Sequence, residues 1–388
     1  MSLLRFVVPV VVAAVAAAAP ASAQPRDFAD EAKIMYRVVA CGGDAPLPAG
    51  IDATLIAGHC ATVTPWYAHL DGHYVQKARA FLAKVRPAGL PATVVYPFGG
   101  GDLLSALITY PDATEITTIS LEHAGDPTRV TAATRAQLKS ALATYRSVVR
   151  QLFVNHDSAS DNMKKLERGA VPGQLAMFIS ALAALGYEPV KLTFFEIRPD
   201  GTLHHYSAEE IAGLATTRAK RKKRSWVDTD YSAAFTNSEL TFRKVGEPSA
   251  PLIVHRHIAA NLGDEAFPTS GLKRHLEAKG KVATMTKAAS YLLWLNNFSG
   301  IRNYLLGHMV WMVSDSTGVP PRFARKAGFV QTTYGRFAGS YLPASETENE
   351  AFRKLWEGQP SRKLGFRYGY PDVEGNVHLM ITASKVTP

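Results

Sequence analysis

Residues 94–122 read VVYPFGGGDLLSALITYPDATEITTISLE, and their types suit one kind of chemistry. A phosphate or a nucleoside approaches backbone N–H groups only where side chains are absent, as at Gly99, Gly100 and Gly101. Asp102 can cap the following helix, whose positive end then faces the turn. An acid at the end of the next strand can hold ribose hydroxyls, and Glu122 lies 23 residues after Gly99. The plain alternative is a tight strand-to-helix corner with no ligand. A second polar cluster, SDSTG at Ser314 to Gly318, follows the apolar run MVWMV. Asp315 there can act as a base or orient a ligand, or it can simply initiate a turn through its own backbone. HDSASDN, ending at Asn162, reads the same way with less support.

Other candidates follow from spacing. His255 and His257 alternate on an expected strand, so both rings point to one face, as a metal pair requires, with Arg256 on the other. His69 and His73, with Asp71 between, share a helix face. Neither pair has an evident third ligand, and no metal-site motif occurs, so a structural role is expected for both. Ser160-Asp161-Asn162 and Ser270-x-x-Lys273 look like pieces of penicillin-binding enzymes. Their order is reversed and the required Lys-Thr-Gly is missing, which makes them coincidences. The run RAKRKKR holds Arg218, Lys220, Arg221, Lys222, Lys223 and Arg224. It suits phosphates or anionic headgroups, or is a solvated loop. Only Trp226 lies nearby for base stacking, so sequence-specific nucleic-acid recognition is not expected.

The order strand, glycine turn, helix, strand, acid over residues 92–122 resembles the first unit of Rossmann-like proteins, especially S-adenosylmethionine-dependent methyltransferases. That resemblance implies S-adenosylmethionine or another nucleoside cofactor, with Glu122 on the ribose. The glycines would then lie under the amino-acid or phosphate end. The sequence departs from the pattern at two points. Leu103 or Leu104 replaces the third glycine, and Pro97 stands where the methyltransferases carry an acid. Such cofactors are cytosolic, so no cofactor is assured for an exported chain. More broadly, the 94–122 block, HRHIAANL, TKAASYLLW and SDSTGVPP resemble a family of uncharacterised exported bacterial proteins. This resemblance spans nearly the whole chain after residue 23. It implies a single folding unit and brings no activity.

The surrounding elements must position these groups. Trp66 to Val85 has helical periodicity, ended by Pro87 and Pro91. ATVVYPF is a β-branched run suited to a buried strand, and EITTISLE is a second. TAATRAQLKSALATYRSVVRQLFV reads as an amphipathic helix, and PGQLAMFISALAALG as a buried one capped by Gly186. VKLTFFEI and TLHHY form a hairpin around RPDG. SAEEIAGLA is a short helix opened by Ser207. SELTFRKV and APLIVHRHIA are strands, and FRYGYPD with NVHLMITAS suggests a last antiparallel pair.

The N-terminal residues and the two cysteines bear on the compartment. Arg5, an apolar run from Phe6 to Ala19 and Ala21-Ser22-Ala23 form the pattern of a secretory signal peptide cleaved after Ala23. The run is too short for a membrane span, and no later stretch is apolar enough. Export makes a Cys41–Cys60 disulfide the default for the two cysteines. The formal charge of +10 favours acidic partners.

The fold expected is a Rossmann-like α/β three-layer sandwich. Its sheet is mostly parallel with antiparallel C-terminal strands. A single domain, residues 24–388, follows the signal peptide, with a disulfide-stapled segment at 24–90 and a basic loop at 218–224. The leading functional expectation is an exported periplasmic or secreted protein that binds a ligand or partner at the carboxyl edge of its sheet. Gly99, Gly100, Gly101, Asp102, Glu122 and Asp315 line that edge. A nucleoside-dependent transferase and a binder of anionic surfaces are the alternatives.

Overall fold

The computed structural model describes residues 24–153, 166, 169–218, 232–287, 289–315, 317–337, 346–368 and 377–385. The expected signal peptide (1–23), the 157–162 segment, the basic residues 220–224 and the Arg218 side chain lie outside the described residues.

Ten strands form one sheet: β1 (Thr93–Pro97), β2 (Glu115–Ser120), β3 (Tyr187–Ile197), β4 (Leu203–His205), β5 (Asn237–Lys244), β6 (Ile253–Ala259), β7 (Val282–Thr286), β8 (Met309–Ser314), β9 (Phe329–Arg336) and β10 (Val377–Ser384). Their order in space is β4-β3-β5-β6-β2-β1-β7-β8-β10-β9. The central five, β6-β2-β1-β7-β8, run parallel. They alternate with helices in sequence, and parallel neighbours need such crossovers. Antiparallel strands stand at both edges, β3 to β5 on one side and β9 with β10 on the other. β10 pairs with β8 and β9, and the described part of the FRYGYPD segment, residues 366–368, forms no strand.

Helices cover both faces. On one side lie α1 (Ala29–Val38), α2 (Ala53–Leu70), α3 (Gln76–Val85), α4 (Leu103–Thr109), α5 (Thr128–Ala132), α6 (Arg135–Phe153) and α7 (Gly173–Leu185). A short helix, α8 (Ala208–Arg218), follows β4. The other side carries α9 (Gly271–Glu277), α10 (Ser299–His308) and α11 (Pro321–Lys326), and α12 (Glu346–Glu357) follows β9. Successive β1 residues serve opposite cores: Val94 and Tyr96 join the first, Val95 the second. A strand buried on both faces reads as an unbroken apolar run, which is why ATVVYPF shows no alternation.

Asp52 caps α2 by accepting from the N–H groups of Thr54 and Leu55, so this helix starts 13 residues before the expected Trp66. Gly58 and an internal Pro65 mask its helical signal. Cys60 therefore sits on a helix, joined to Cys41 with a Cα–Cα distance of 5.4 Å. Between the two cysteines the chain lies flat on Tyr36. A Cβ at Gly42 would run into the Tyr36 ring, and Arg37 Nη1 donates to Asp44 O at 2.9 Å. The disulfide thus staples a loop that has few apolar anchors of its own. Replacing both cysteines by serine should cost about 3 kcal/mol by loop-closure entropy. Denaturant unfolding of the double variant against the oxidised protein measures this.

Candidate functional site

The carboxyl ends of the parallel strands gather most of the candidate residues. β1 ends in Pro97, and Phe98 then takes φ +61, a left-handed value that a bulky residue rarely adopts. The Gly99 N–H donates to Ile119 O at 2.9 Å, which ties the turn to β2. The three glycines do different work. A Cβ at Gly99 would stand 2.8 Å from the Tyr96 ring. One at Gly101 would stand 2.9 Å from Gln174 Oε1 and 3.0 Å from Met177 Cβ on α7. Gly100 has φ +49 and nothing within 4 Å of its missing side chain. Gly99 and Gly101 are close-packing positions, and only Gly100 leaves space for a ligand's approach.

Asp102 caps α4 by accepting from the Ser105 N–H at 3.1 Å. Its other oxygen accepts from Tyr96 Oη at 2.9 Å and pairs with Lys287 Nζ at 3.2 Å. Lys287 follows β7 directly, and its side chain is 7% exposed. The ammonium also donates to Ser105 Oγ at 2.7 Å and lies over the rings of Tyr74 and Tyr368. One buried cation thus joins β7 to the start of α4. The positive end of α4 is already met by a carboxylate, so a phosphate there would face Asp102.

Glu122 follows β2. Its carbonyl accepts from His257 Nε2 at 2.8 Å, while its half-buried carboxylate forms no hydrogen bond or ion pair among the described residues. Leu121 beside it is 58% exposed. His255 and His257 are fully buried, and both rings face one side, against Phe178 of α7. Thr118 Oγ1 stands between them, 2.9 Å from His255 Nε2 and 3.2 Å from His257 Nδ1. Burial pushes His257 down to about 4 and His255 well below the ordinary range, with the neighbouring ring adding to the latter. Neutral rings fix one proton order. His257 Nε2–H donates to Glu122 O, so its Nδ1 accepts from Thr118, and Thr118 accepts from His255 Nε2–H. His255 Nδ1 is left buried without a partner. The pair is bridged by a hydroxyl where a metal would have to sit.

Asp315 lies deeper than an edge-lining residue. It is fully buried after β8, accepts from Ser290 Oγ at 2.6 Å, and Ser290 in turn meets Thr317. Arg256 points to the opposite face, pairing with Glu115 at 2.8 Å and Glu239 at 2.7 Å; Lys279 completes the network on Glu115. Burial raises Glu239, but His205 and Arg256 outweigh it and hold the carboxyl at about 2. His69 and His73 stack at 3.9 Å rather than converging on a point. Ser270 caps α9 through the Lys273 N–H at 3.2 Å. Among the described residues no group of three His, Cys, Asp or Glu side chains is placed to hold a metal ion, and no helix is long and apolar enough to cross a membrane.

The spacing reading missed Lys287, Ser105, Gln174 and Thr118. Gln174 and Lys287 did leave a signal, the first as a lone polar residue in PGQLAMFI and the second as the lone charge in VATMTKAASYLLW. Comparison with family models, with curated proteins and with solved structures finds no match to this chain.

Two outcomes follow from this geometry. Lys287→Met strands Asp102 as a half-buried unpaired carboxylate and should cost about 3 kcal/mol, whereas Lys287→Met with Asp102→Asn should recover most of it. Urea unfolding of both variants checks the difference. His257, His275 and His378, each held at about 4 by burial, stay neutral in the folded chain while the unfolded chain protonates near 6.5. Folding then binds fewer protons, so stability is full above pH 6.5 and is lost as pH falls toward 4. The thermal midpoint should drop by several degrees across that window, and His257→Gln should flatten the slope.

Proposed function

We propose that this chain is an exported small-molecule-binding protein whose ligand, a nucleoside, seats at the carboxyl edge between the ends of β1 and β2. The observation that carries the reading is topological. From β1 the chain adds β2 and then β6 on one side, and later returns to add β7 and β8 on the other. Open α/β sheets bind ligands outside the carboxyl ends of their strands beside such a reversal, which here falls between β1 and β7 and makes the end of β1 one wall of the site. The residues present fit the nucleoside class. Glu122 offers a carboxylate that no described residue hydrogen-bonds or ion-pairs, suited to a pair of ribose hydroxyls. Gly100 leaves an open flank, and Leu121 and Phe98 supply apolar surface at the lip. Asp102 already fills the end of α4, which favours a neutral nucleoside over a phosphate at that spot.

A second reading, group transfer from a nucleoside cofactor, has one observation in its favour. Counting only β1, β2 and β6 to β10 in chain order, the sheet runs 3-2-1-4-5-7-6 with the seventh strand reversed. Its run 3-2-1-4-5 is shared with doubly wound nucleotide-binding sheets.

The test is a thermal-shift panel with adenosine, S-adenosylmethionine and nicotinamide riboside. A ligand at 100 times its Kd stabilises by about 2.7 kcal/mol, which raises the midpoint by a few degrees. The shift should vanish in Glu122→Ala while the unliganded midpoint stays put. A panel that moves nothing would sink the reading.

A further inference from the structure

Beneath α7 the sheet presents a polar row inside an otherwise apolar core. Ser238, His257, Thr118 and Tyr96 are cross-strand neighbours on β5, β6, β2 and β1. Ser120 is the next residue outward on the same face of β2. Histidine and threonine satisfy one another there, but the hydroxyls of Ser120 and Ser238 are buried with no hydrogen-bond partner. Gln174 adds a larger debt. It is the second residue of α7 and 1% exposed, and neither Oε1 nor Nε2 has a partner. Its Oε1 faces the glycine turn, 2.9 Å from the place of a Gly101 Cβ. On the other side, the Leu175 N–H is held by Ala124 O at 3.1 Å, two residues past Glu122. Gln174 therefore sits between the two loops that bound the proposed site, at the start of a helix whose Pro172 cap offers no side-chain acceptor. Interiors leave few polar atoms unpaired, because each stranded group carries its full desolvation penalty. A primary amide has both donor and acceptor stranded here.

We infer that Gln174 reads the base of the bound nucleoside, and that the base is adenine-type. This rests on the site reading above and adds to it a residue and a ligand class. A glutamine amide is complementary to a planar edge with a donor beside an acceptor, and adenine offers N6–H next to N7 in that arrangement. The amide is neutral, as is the base edge, so no charge has to be buried. The glycine at 101 keeps the amide's place clear, since any side chain there would displace it.

The experiment measures adenosine affinity by titration calorimetry in the mature chain, Gln174→Met and Glu122→Ala. Methionine keeps the length and removes the stranded amide, so the unliganded Gln174→Met protein should melt no lower than wild type. Its adenosine affinity should fall at least tenfold, the loss of one bidentate base contact. Adenosine binding equally well to Gln174→Met would make Gln174 a stranded core amide and overturn the inference, with the site reading intact. Binding of nicotinamide riboside but not adenosine, lost in Glu122→Ala, would likewise overturn the adenine assignment alone. Silence from every nucleoside would remove both.

Discussion

The ion pair between Lys287 and Asp102 is the contact on which the carboxyl edge depends. A cation that is 7% exposed needs a partner, or its desolvation would push the chain apart at that point. Asp102 supplies the charge, Ser105 a lone pair, and two tyrosine rings their negative faces. Because Asp102 also caps α4 and accepts from Tyr96, a single carboxylate sets the start of a helix, the rotamer of a buried ring and the exit of β7. Everything beyond the parallel strands is arranged around that fixed point. The glycine turn wraps it, and Gly99 is a glycine because Tyr96 has to lie where a side chain would be.

Local signals were legible where one residue decides the structure. Asp102 and Ser207 cap helices, Gly186 ends α7 in a left-handed conformation, and RPDG turns the β3–β4 hairpin. Each acts within a few residues of itself, so sequence order suffices. The early start of α2 was hidden because Gly58 and Pro65 lower its propensity, and tertiary packing against α6 overrides them. The site was less legible, for a different reason. His255 and His257 declared their common face through spacing, but the Thr118 hydroxyl between them arrives from a strand 137 residues away. Lys287 and Asp102 are separated by β2, β6 and everything between. Only the closed sheet makes them neighbours, and no periodicity encodes which buried lysine meets which acid.

Polar chemistry is divided between the two faces. Under α7 the groups are neutral: two histidines held uncharged by burial, a threonine, two serines and a glutamine. On the opposite face Arg256 and Lys279 balance Glu115 and Glu239 in a closed network. The difference matters for function. A network whose charges already cancel has nothing left to offer a ligand, and truncating one member would strand the rest. The neutral row is different in kind, because it holds polar atoms without partners, with the Gln174 amide at the start of α7.

That contrast bears on what the glycine turn is for. Packing explains Gly99 and Gly101 without any ligand, and a capped, neutralised α4 explains why a phosphate is not required. Beside the turn, packing leaves three features unexplained: the open flank at Gly100, the carboxylate of Glu122 and the amide of Gln174. A structure that spends side chains so carefully on Asp102 has the means to satisfy a glutamine one loop away. Leaving it unpaired is costly, by about 1–3 kcal/mol for a buried neutral group. On the reading proposed above, a bound base offsets that cost. On the reading proposed above, the turn is a corner on its inner side and a wall of the binding site on its outer one. Gly99 and Gly101 serve the first use and Gly100 the second.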